Sequence, residues 1–404
     1  MTNVLVIGAG MYVCGRGTAG YGTVLPTLIQ AQQEGEIGEI WVAATRPESV
    51  QALRQKLQEL AARFGASAAV RIVPEGRRAD PQAYRSALAQ LAQPACAIVV
   101  VPDHLHAAVG ADVIRAGLHL LMVKPLAPTL AEGREMVELL EAHQVYGAVD
   151  FHKRFDEANL LLRRTIDDGQ LGELRHVAVR YSQRRLIRQL FASWIEHTNV
   201  FQYLGVHYVD LIYFLTGARP VRVQAVGQPP AEPGADPGRF DAIHAVVEWK
   251  DPALTSSLAT SWADPDRSPA MSDQAITVVG TRGRYESDQM RRGVQLVTDE
   301  HGLEEVNPYF SQVYRDAAGR MGIHGYGPRS IRQFLADVQG LINGTQRLSE
   351  LSAQRPSFQQ ALVSTAVIEA AGRSAAAGGE WMAVDDGWQR AEAASHAPRE
   401  VSHR

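Results

Sequence analysis

The chain has 404 residues, a formal net charge of -4, 46% hydrophobic and 21% charged residues, which is an ordinary globular composition. This length exceeds the usual size of one hydrophobic core, so we expect two domains. The charge balance argues against a nucleic-acid partner, and the cysteines, Cys14 and Cys96, are too few for a disulfide framework and lack metal-ligand spacing. No leader or bilayer-length apolar run is found, so we expect a cytoplasmic protein with no membrane partner and no metal site.

The first predicted element is a short strand, residues 4–7, that leads into Gly8-Ala9-Gly10. A glycine pair between a strand and a helix lets the backbone approach the pyrophosphate of a dinucleotide. We therefore predict that Gly8, Gly10 and Met11 contact a cofactor. The alternative is a flexible turn, because glycine tolerates positive φ angles.

The residues after this glycine pair depart from the usual fingerprint. A small residue is expected at position 13, where this chain has Val13, and further glycines follow up to Gly22. We interpret residues 11–22 as an expanded phosphate loop, with a helix beginning near Thr23. Arg16 could bind a phosphate from this loop or be solvated.

The second predicted strand, residues 39–44, ends at Thr45-Arg46. A carboxylate at this place would bind the ribose hydroxyls of NAD, and it is missing here. A hydroxyl followed by a guanidinium suits the 2′-phosphate of NADP, so NADP is favoured and NAD stays open. Alternatively, Thr45 caps the next helix and Arg46 is solvated.

A strand-helix-strand unit follows, with apolar runs at residues 97–101 and 120–123 around a helix-length segment. The second run ends at Lys124, the first at Pro102. Such units form parallel sheets, whose ligands bind beyond the carboxyl ends of the strands, where Asp103, His106 and Lys124 would lie. With further strands and helices predicted on either side, residues 1–150 are expected to form a doubly wound parallel sheet of the Rossmann type.

This block resembles the Gfo/Idh/MocA family of NAD(P)-dependent oxidoreductases, in which a P-N-x-x-H turn precedes a Glu-Lys-Pro motif. Here these motifs read Pro102-Asp103-His104-Leu105-His106 and Val123-Lys124-Pro125. The resemblance implies a catalytic role for Lys124 and a place near the cofactor for Pro102 and His106. Asp103 and Val123 depart from the family pattern.

The resemblance continues beyond residue 150, through a family-like linker, a hairpin at residues 276–283 and a closing helix at residues 361–372. Alternating runs at residues 242–249 and 254–261 suit an open sheet with one covered face. We expect residues 151–388 to form an α+β domain with a large, mostly antiparallel open sheet. In this family that sheet often supports oligomers, so a homodimer or homotetramer is expected, with residues 389–404 as a flexible tail.

Residues 200–217 are predicted to form a helix that ends at a C-cap glycine. In the family this helix carries D-x-G-x-H-x-x-D. This chain keeps Gly205, His207 and Asp210 but has Tyr203 at the first aspartate. Tyr203 and His207 are four residues apart, so they are expected to share one face of the helix.

Oxidation of a secondary alcohol needs a base for the hydroxyl proton while a hydride leaves the carbon. His207 is predicted as this base and Lys124 as the cation that stabilises the developing alkoxide. Tyr203 could join a proton relay if an ammonium group lowers its pKa, or only stack on the sugar. Asp210 is expected to orient its neighbours. The alternative for His207 is a structural histidine in the core.

The predicted substrate region adds an arginine-rich run and aromatic residues between these elements. Arg184 and Arg188 could form an anion pocket or a solvated face, and Trp194 could stack on a sugar ring. A loop at residues 322–327 could rim the same cleft. The complete prediction is: catalytic Lys124, His207 and Tyr203; cofactor-binding Gly8, Gly10, Met11, Thr45, Arg46, Pro102, His106 and Lys124; substrate-binding Lys124, Trp194, Asn199, Tyr203, His207, Arg184 and Arg188.

The sequence thus predicts an NADP- or NAD-dependent oxidoreductase acting on a sugar, sugar acid or cyclitol. The departures at Val13, Val123 and Tyr203 keep a second hypothesis open, a nicotinamide-binding regulatory protein without catalysis. A third is glycoside hydrolysis by transient oxidation with bound NAD.

Overall fold

The computed structural model describes residues 1–64, 69–75, 79–230, 239–315 and 317–387, so the predicted tail lies outside the described residues. These residues form a six-stranded sheet, a seven-stranded sheet and two small hairpins. No helix in this part of the chain is both long and apolar enough to cross a bilayer.

The N-terminal sheet is parallel throughout, and its strands are buried on both faces by helices. Its strands are β1 (Thr2–Ile7), β2 (Ile37–Ala43), β3 (Val70–Val73), β4 (Ala95–Val99), β5 (His119–Met122) and β6 (Gly147–Val149). Its helices are α1 (Met11–Cys14), α2 (Val24–Gln33), α3 (Pro47–Phe64), α4 (Ala83–Gln90), α5 (His106–Arg115) and α6 (Leu130–His143). The order β3-β2-β1-β4-β5-β6 reverses direction between β1 and β4, where doubly wound folds bind ligands. The predicted Rossmann-type sheet is confirmed.

The C-terminal sheet is mostly antiparallel, as predicted. Its strands are β7 (Leu174–Arg184), β8 (Arg219–Gln228), β9 (Ala242–Lys250), β10 (Leu254–Asp264), β11 (Ser272–Gly280), β12 (Arg284–Asp288) and β17 (Met382–Ala383). They are ordered β12-β11-β7-β10-β9-β8-β17, and only β7 and β10 pair in parallel within the described sheet. The hairpins are β13 (Gln295–Thr298) with β14 (Gly302–Glu305), and β15 (Gln312–Arg315) with β16 (Met321–His324).

One face of this sheet is covered by helices and the other is open. The helices of this half are α7 (Glu157–Asp167), α8 (Leu186–Leu190), α9 (Val206–Thr216), α10 (Tyr326–Ile342), α11 (Leu348–Gln354) and α12 (Phe358–Ala376). In β10 the buried residues Leu254, Ser256 and Leu258 alternate with the exposed Thr255 and Ser257. This period of two is typical of a sheet with a single covered face.

Helix α10 returns to the N-terminal sheet, although it belongs to the segment predicted as the second domain. Its residues Ile331, Phe334 and Val338 are buried in one hydrophobic core with residues of β1 and β2. The N-terminal sheet is therefore completed by a helix that begins at Tyr326, long after the last strand of the sheet ends at Val149. This packing ties the two halves of the chain together.

Candidate active site

The two glycines after β1 have different surroundings. Gly8 has φ 122°, and a Cβ added there would lie 2.0 Å from the carbonyl oxygen of Val100, so only glycine fits. A Cβ on Gly10 would meet no atom of the described chain within 4 Å. The open space above Gly10, beside the N-terminus of α1, fits the pyrophosphate of a dinucleotide, and Met11 is the first residue of that helix.

The predicted expansion of the phosphate loop is corrected by the structure. Helix α1 begins directly after Gly10, and the extra residues follow this helix instead of preceding it. We call residues 15–22 the excursion. It starts and ends at Gly15 and Gly22, both with positive φ angles, and Thr23 then donates a hydrogen bond to the carbonyl of Tyr12 over 2.7 Å. Val13 is fully buried within α1. Because α1 spans Met11–Cys14 directly after Gly10, the loop before it is short and the interruption lies in the helix.

The end of β2 presents Thr45 and Arg46 to solvent, as a cofactor site at this place requires. The carbonyl of Arg46 accepts hydrogen bonds from the amides of Ser49 and Val50, over 3.0 and 3.1 Å, and so begins helix α3. The carbonyl of Thr45 instead accepts a bond from the amide of Asp80 over 2.9 Å.

Lys124 follows β5 and reaches across to the helix of the other half. Its Nζ donates a hydrogen bond to the carbonyl of Tyr203 over 2.7 Å and lies 3.2 Å from the centroid of the Tyr203 ring. Burial lowers the pKa of Lys124 from 10.5 to about 7, while the carboxylates of Asp103 and Asp150 act in the opposite direction. The ammonium group can therefore gain or lose a proton near neutral pH.

His106 lies behind this turn and is completely buried. Its Nδ1 is 2.7 Å from the carbonyl oxygen of Pro125, and its Nε2 is 3.0 Å from that of Val101. Both ring nitrogens thus face backbone carbonyls, of which a neutral imidazole donates its one N–H to one, and His106 lies between the Lys-Pro turn and the strand before it. The completely buried side chain of His106 contacts these carbonyls and does not reach the space predicted for the cofactor. Pro102, in contrast, is half-exposed beside the cleft.

The segment that carries His207 is not a continuous α-helix. Phe201–Gly205 forms a π-helical turn that leads into α9, and Gly217 ends α9 with φ 66°. A Cβ on Gly205 would lie 2.8 Å from the ring of Phe201, which explains the glycine. Asn199 accepts a hydrogen bond on Oδ1 from the amide of Gln202 over 2.8 Å, so this oxygen caps the turn.

His207 is buried, and its Nδ1 has no hydrogen-bond partner among the described residues. Its pKa lies well below 6.5, first because of burial and then because of the positive charges of Lys124, His152 and Lys153. The ring is therefore a neutral imidazole at physiological pH. No described side chain bonded to Nδ1 fixes its tautomer.

His152 was missed by the sequence analysis. Its ring centroid is 4.9 Å from that of His207, and its Nδ1 is likewise buried and unpartnered within the described chain. Phe310 and Tyr326 lie on its other sides, with ring centroids 5.2 and 5.7 Å away. The sequence feature that could have identified His152 is its position just after β6, since ligands bind beyond the carboxyl ends of parallel strands. Tyr326 lies in the predicted rim at 322–327, which is the end of β16 and the start of α10 instead of a loop.

Tyr203 does not have the predicted acidic hydroxyl. Burial raises the pKa of its phenol, and Lys124 meets its ring face and its carbonyl. The ring is surrounded by Phe191, Trp194 and Trp262, with centroids 5.1, 5.9 and 5.8 Å away. The raised pKa does not meet the condition on which the proton-relay hypothesis for Tyr203 depends, and the half-exposed Trp194 and Tyr203 remain as stacking surfaces.

The arginine run does not form a joint anion pocket. Arg188 pairs with Asp241 over 3.0 Å, and the neighbouring Arg185 pairs with Asp266 over the same distance. Arg184 donates to the carbonyl of Ser268. The carboxylates that neutralise Arg185 and Arg188 come from distant segments, so the sequence alone could not show them.

Asp210 orients its surroundings, as predicted. It accepts two hydrogen bonds from Arg154, 2.8 Å from Nε and 2.6 Å from Nη2, and both side chains are buried. A bidentate pair of this kind fixes both partners in position. Asp103 plays a similar part on the facing side, where it accepts bonds from Thr198 and Gln202 over 2.7 and 2.9 Å.

Two sequence profiles of one family match the chain. The oxidoreductase family with an NAD-binding Rossmann fold matches residues 2–151, and the GFO/IDH/MocA C-terminal domain matches residues 160–286. The chain belongs to the Gfo/Idh/MocA family. It is thus an oxidoreductase that uses NAD or NADP, and the glycine cradle at Gly10 fits such a cofactor.

Curated Gfo/Idh/MocA relatives include enzymes of inositol metabolism. An inositol 2-dehydrogenase from Rhizobium meliloti (strain 1021) is 22% identical over 69% of this chain and 78% of that protein. The myo-inositol dehydrogenase Hyg17 of Streptomyces leeuwenhoekii is 29% identical over 47% of this chain and 57% of that protein. Other relatives align over 33% to 39% of their own length.

Solved structures show the same fold. An inositol dehydrogenase homologue from Azotobacter vinelandii, complexed with NADH and myo-inositol, superposes with a TM-score of 0.68 at 19% identity. The superposition covers 95% of this chain and 97% of the other. The shared fold spans both sheets.

Proposed function

We propose that the chain is a dehydrogenase that transfers a hydride between nicotinamide and a secondary alcohol of a cyclitol or related sugar. The observation that carries this proposal is the hydrogen bond from Lys124 to the carbonyl of Tyr203, in the turn that leads into the helix of His207. The charge of Lys124 also helps to lower the pKa of the His207 imidazole. The names of the inositol dehydrogenase relatives support the substrate class.

The chain's residues divide the work as follows. Backbone amides at Gly10 and Met11, with the side chains of Thr45 and Arg46, would hold the dinucleotide, whose nicotinamide supplies or accepts the hydride when bound. His207 accepts the hydroxyl proton on its imidazole, because burial keeps the ring neutral. Lys124 donates a hydrogen bond to the same oxygen and stabilises its negative charge.

Aromatic side chains support a cyclic substrate in this cleft. Trp194 and Tyr203 are half-exposed next to the Lys124 ammonium and present apolar ring faces. The C–H faces of a sugar or cyclitol ring stack well on such surfaces, while its hydroxyls bond to polar groups at the edge. Arg184 and Asn199 lie in neighbouring segments and complete the proposed substrate region.

The experiment measures reduced nicotinamide with purified protein, both cofactors and a panel of inositols, sugars and sugar acids. Lys124→Met and His207→Asn should each lower kcat by about a hundredfold or more while the dissociation constant of the cofactor changes little. The matched controls are Lys250→Met and His176→Asn, since both residues are exposed. Full activity in either active-site variant would refute the assignment.

A second candidate is a nicotinamide-binding regulator without catalysis. Tyr203 and Val123 favour it, because they stand where the family pattern has carboxylates and Tyr203 covers one side of the Lys124 ammonium. It predicts tight cofactor binding and no turnover with any polyol. The same substrate panel therefore separates the two candidates.

We also propose that the open face of the C-terminal sheet binds a second copy of the chain. A shallow groove crosses this face, lined by residues that include Val179, Gln224, Val226 and His244, and Val226 is 48% exposed. Exposed apolar surface of this kind favours association. Val226→Asp should shift sedimentation toward monomer, whereas Val297→Asp, on the hairpin of β13, should not; equal behaviour of the two variants would argue against this face.

A further inference from the structure

The excursion has a compact backbone conformation that is fixed by close contacts. Its two ends touch, because a Cβ on Gly15 would lie 2.0 Å from the carbonyl oxygen of Gly20, and one on Gly22 would lie 2.7 Å from the amide of Cys14. These close approaches need glycine at both ends. The chain therefore leaves helix α1 and returns to it at nearly the same point.

The excursion lies against helix α3. Lys56 donates a hydrogen bond to the carbonyl of Thr18 over 3.2 Å, and its ammonium lies 5.3 Å from the centroid of the Tyr21 ring. The guanidinium of Arg63 lies equally close to that ring. These contacts fix the excursion along the side of α3.

This placement brings Arg16 to the start of α3. Its Nη1 donates a hydrogen bond to the Oγ of Ser49, a buried residue of the first helical turn. The amide of Ser49 in turn bonds to the carbonyl of Arg46. Two exposed arginines from separate segments are thus linked to the same turn, Arg16 through its side chain and Arg46 through its backbone carbonyl. Within the described residues neither has an acidic partner.

We propose that Arg16 and Arg46, with the hydroxyl of Thr45, form a binding site for the 2′-phosphate of NADP, so that the chain prefers NADP to NAD. This inference rests on the proposed dehydrogenase function. A guanidinium matches a phosphate dianion through paired hydrogen bonds, and no carboxylate ends β2 to bind a free ribose hydroxyl. Glu48, in the same turn, is exposed.

Under this proposal, the interruption of the first helix places Arg16 at the cofactor site. A continuous helix from Met11 through Gln33 would hold residue 16 within its regular turns. The excursion instead carries this side chain across to Ser49, where it adds a second positive charge to the one after β2. Cofactor choice would then depend on a residue outside the usual fingerprint.

Calorimetry of the full chain with NADPH, NADH and 2′,5′-ADP tests the site without requiring turnover. The wild type should bind NADPH at least about tenfold more tightly than NADH, because bonds to charged groups carry that much affinity. Arg16→Gln should weaken NADPH and 2′,5′-ADP by about tenfold and leave NADH within about twofold. Arg16→Lys should recover part of the loss.

The matched control is Arg54→Gln, an exposed arginine further along α3 that removes the same charge. It should leave all three dissociation constants unchanged. Equal affinity of the wild type for NADPH and NADH would overturn the proposal, as would an equal loss for both cofactors in Arg16→Gln. A preference for NADPH without turnover on any alcohol would instead keep this site and refute the dehydrogenase function.

Discussion

On the N-terminal side of the cleft, Lys124 and His106 are held through backbone carbonyls, whereas on the C-terminal side the helix of His207 is held by the buried pair Arg154–Asp210. The first side uses uncharged acceptors. The second uses two full charges that are removed from water. The reactive groups of one cleft are therefore positioned by two kinds of interaction.

The difference shows how each side responds to change. Hydrogen bonds to carbonyls contribute about 1 kcal/mol each, so the first side loses stability gradually. A buried ion pair adds little net stability, but removing one partner leaves an uncompensated charge and is costly. The carbonyl-bound Lys124, which has no ion pair in the described chain, also keeps a pKa of about 7 and can exchange its proton.

The largest effect is expected from Asp210→Asn. This change keeps the shape of the side chain but leaves the Arg154 guanidinium buried without a counter-charge, and it should lower the free energy of unfolding by about 3–5 kcal/mol. Urea denaturation measures this loss. Asp266→Asn breaks an exposed pair with Arg185, which water and salt screen, so the urea midpoint should hardly move. Similar losses in both variants would show that burial does not distinguish the two pairs.

A smaller effect is expected from His106→Phe on the opposite side. The carbonyl of Val101 or Pro125 that accepts the imidazole N–H would lose its donor, and the free energy of unfolding should fall by about 1–3 kcal/mol. Turnover should fall as well, because the Lys-Pro turn is no longer held. His176→Phe serves as the exposed control. An unchanged kcat in His106→Phe would show that Lys124 is positioned without it.

The dependence of stability on pH should reveal Lys153, which is buried against the rings of Tyr181 and Tyr208 in the C-terminal half. Burial lowers its pKa from 10.5 to about 7. Between these values the unfolded chain holds the proton and the folded chain does not, so stability rises with pH from about 7 to 10. Lys153 contributes at most about 1.4 kcal/mol per pH unit to this slope, and Lys124, whose pKa is also about 7, contributes in the same direction and remains in the Lys153 variant. Unfolding temperatures of Lys153→Met should rise less steeply than those of the wild type, and parallel curves would contradict this pKa.

The smallest effect on stability is expected from Gly10→Ala. The added Cβ meets no described atom, so the unfolding temperature should not change. Cofactor binding should nevertheless weaken, because the methyl group would occupy the space predicted for the pyrophosphate. Gly8→Ala should instead destabilise the fold, since its Cβ would collide with the strand of Val100. Unaltered cofactor affinity in Gly10→Ala would place the cofactor elsewhere.

Much of the fold and part of the site could be predicted because their signals are local. Strand-glycine-helix order, the Lys124-Pro125 motif and the spacing of His207 and Asp210 are all readable within a few residues. Parallel strands then bring their carboxyl ends to one edge, so the region of Lys124 followed from topology. These features needed no knowledge of distant contacts.

The remaining features depend on partners far away in sequence. Arg188 and Arg185 are neutralised by Asp241 and Asp266. The pKa of the Tyr203 phenol is raised by burial and, to a smaller extent, by Tyr181 and Asp103. His152 could be found only by asking which residues follow the last parallel strand. The sequence pattern of residues 200–217 does not predict the π-helical turn.

Helix α10 limits how this chain can be divided into fragments. Ile331, Phe334 and Val338 cover part of one face of the N-terminal sheet, so a fragment ending near residue 150 would expose that part of its apolar surface. The nucleotide-binding half is therefore not a portable module that can be expressed alone or grafted onto another substrate domain. Any such chimera has to bring residues 326–342 with it.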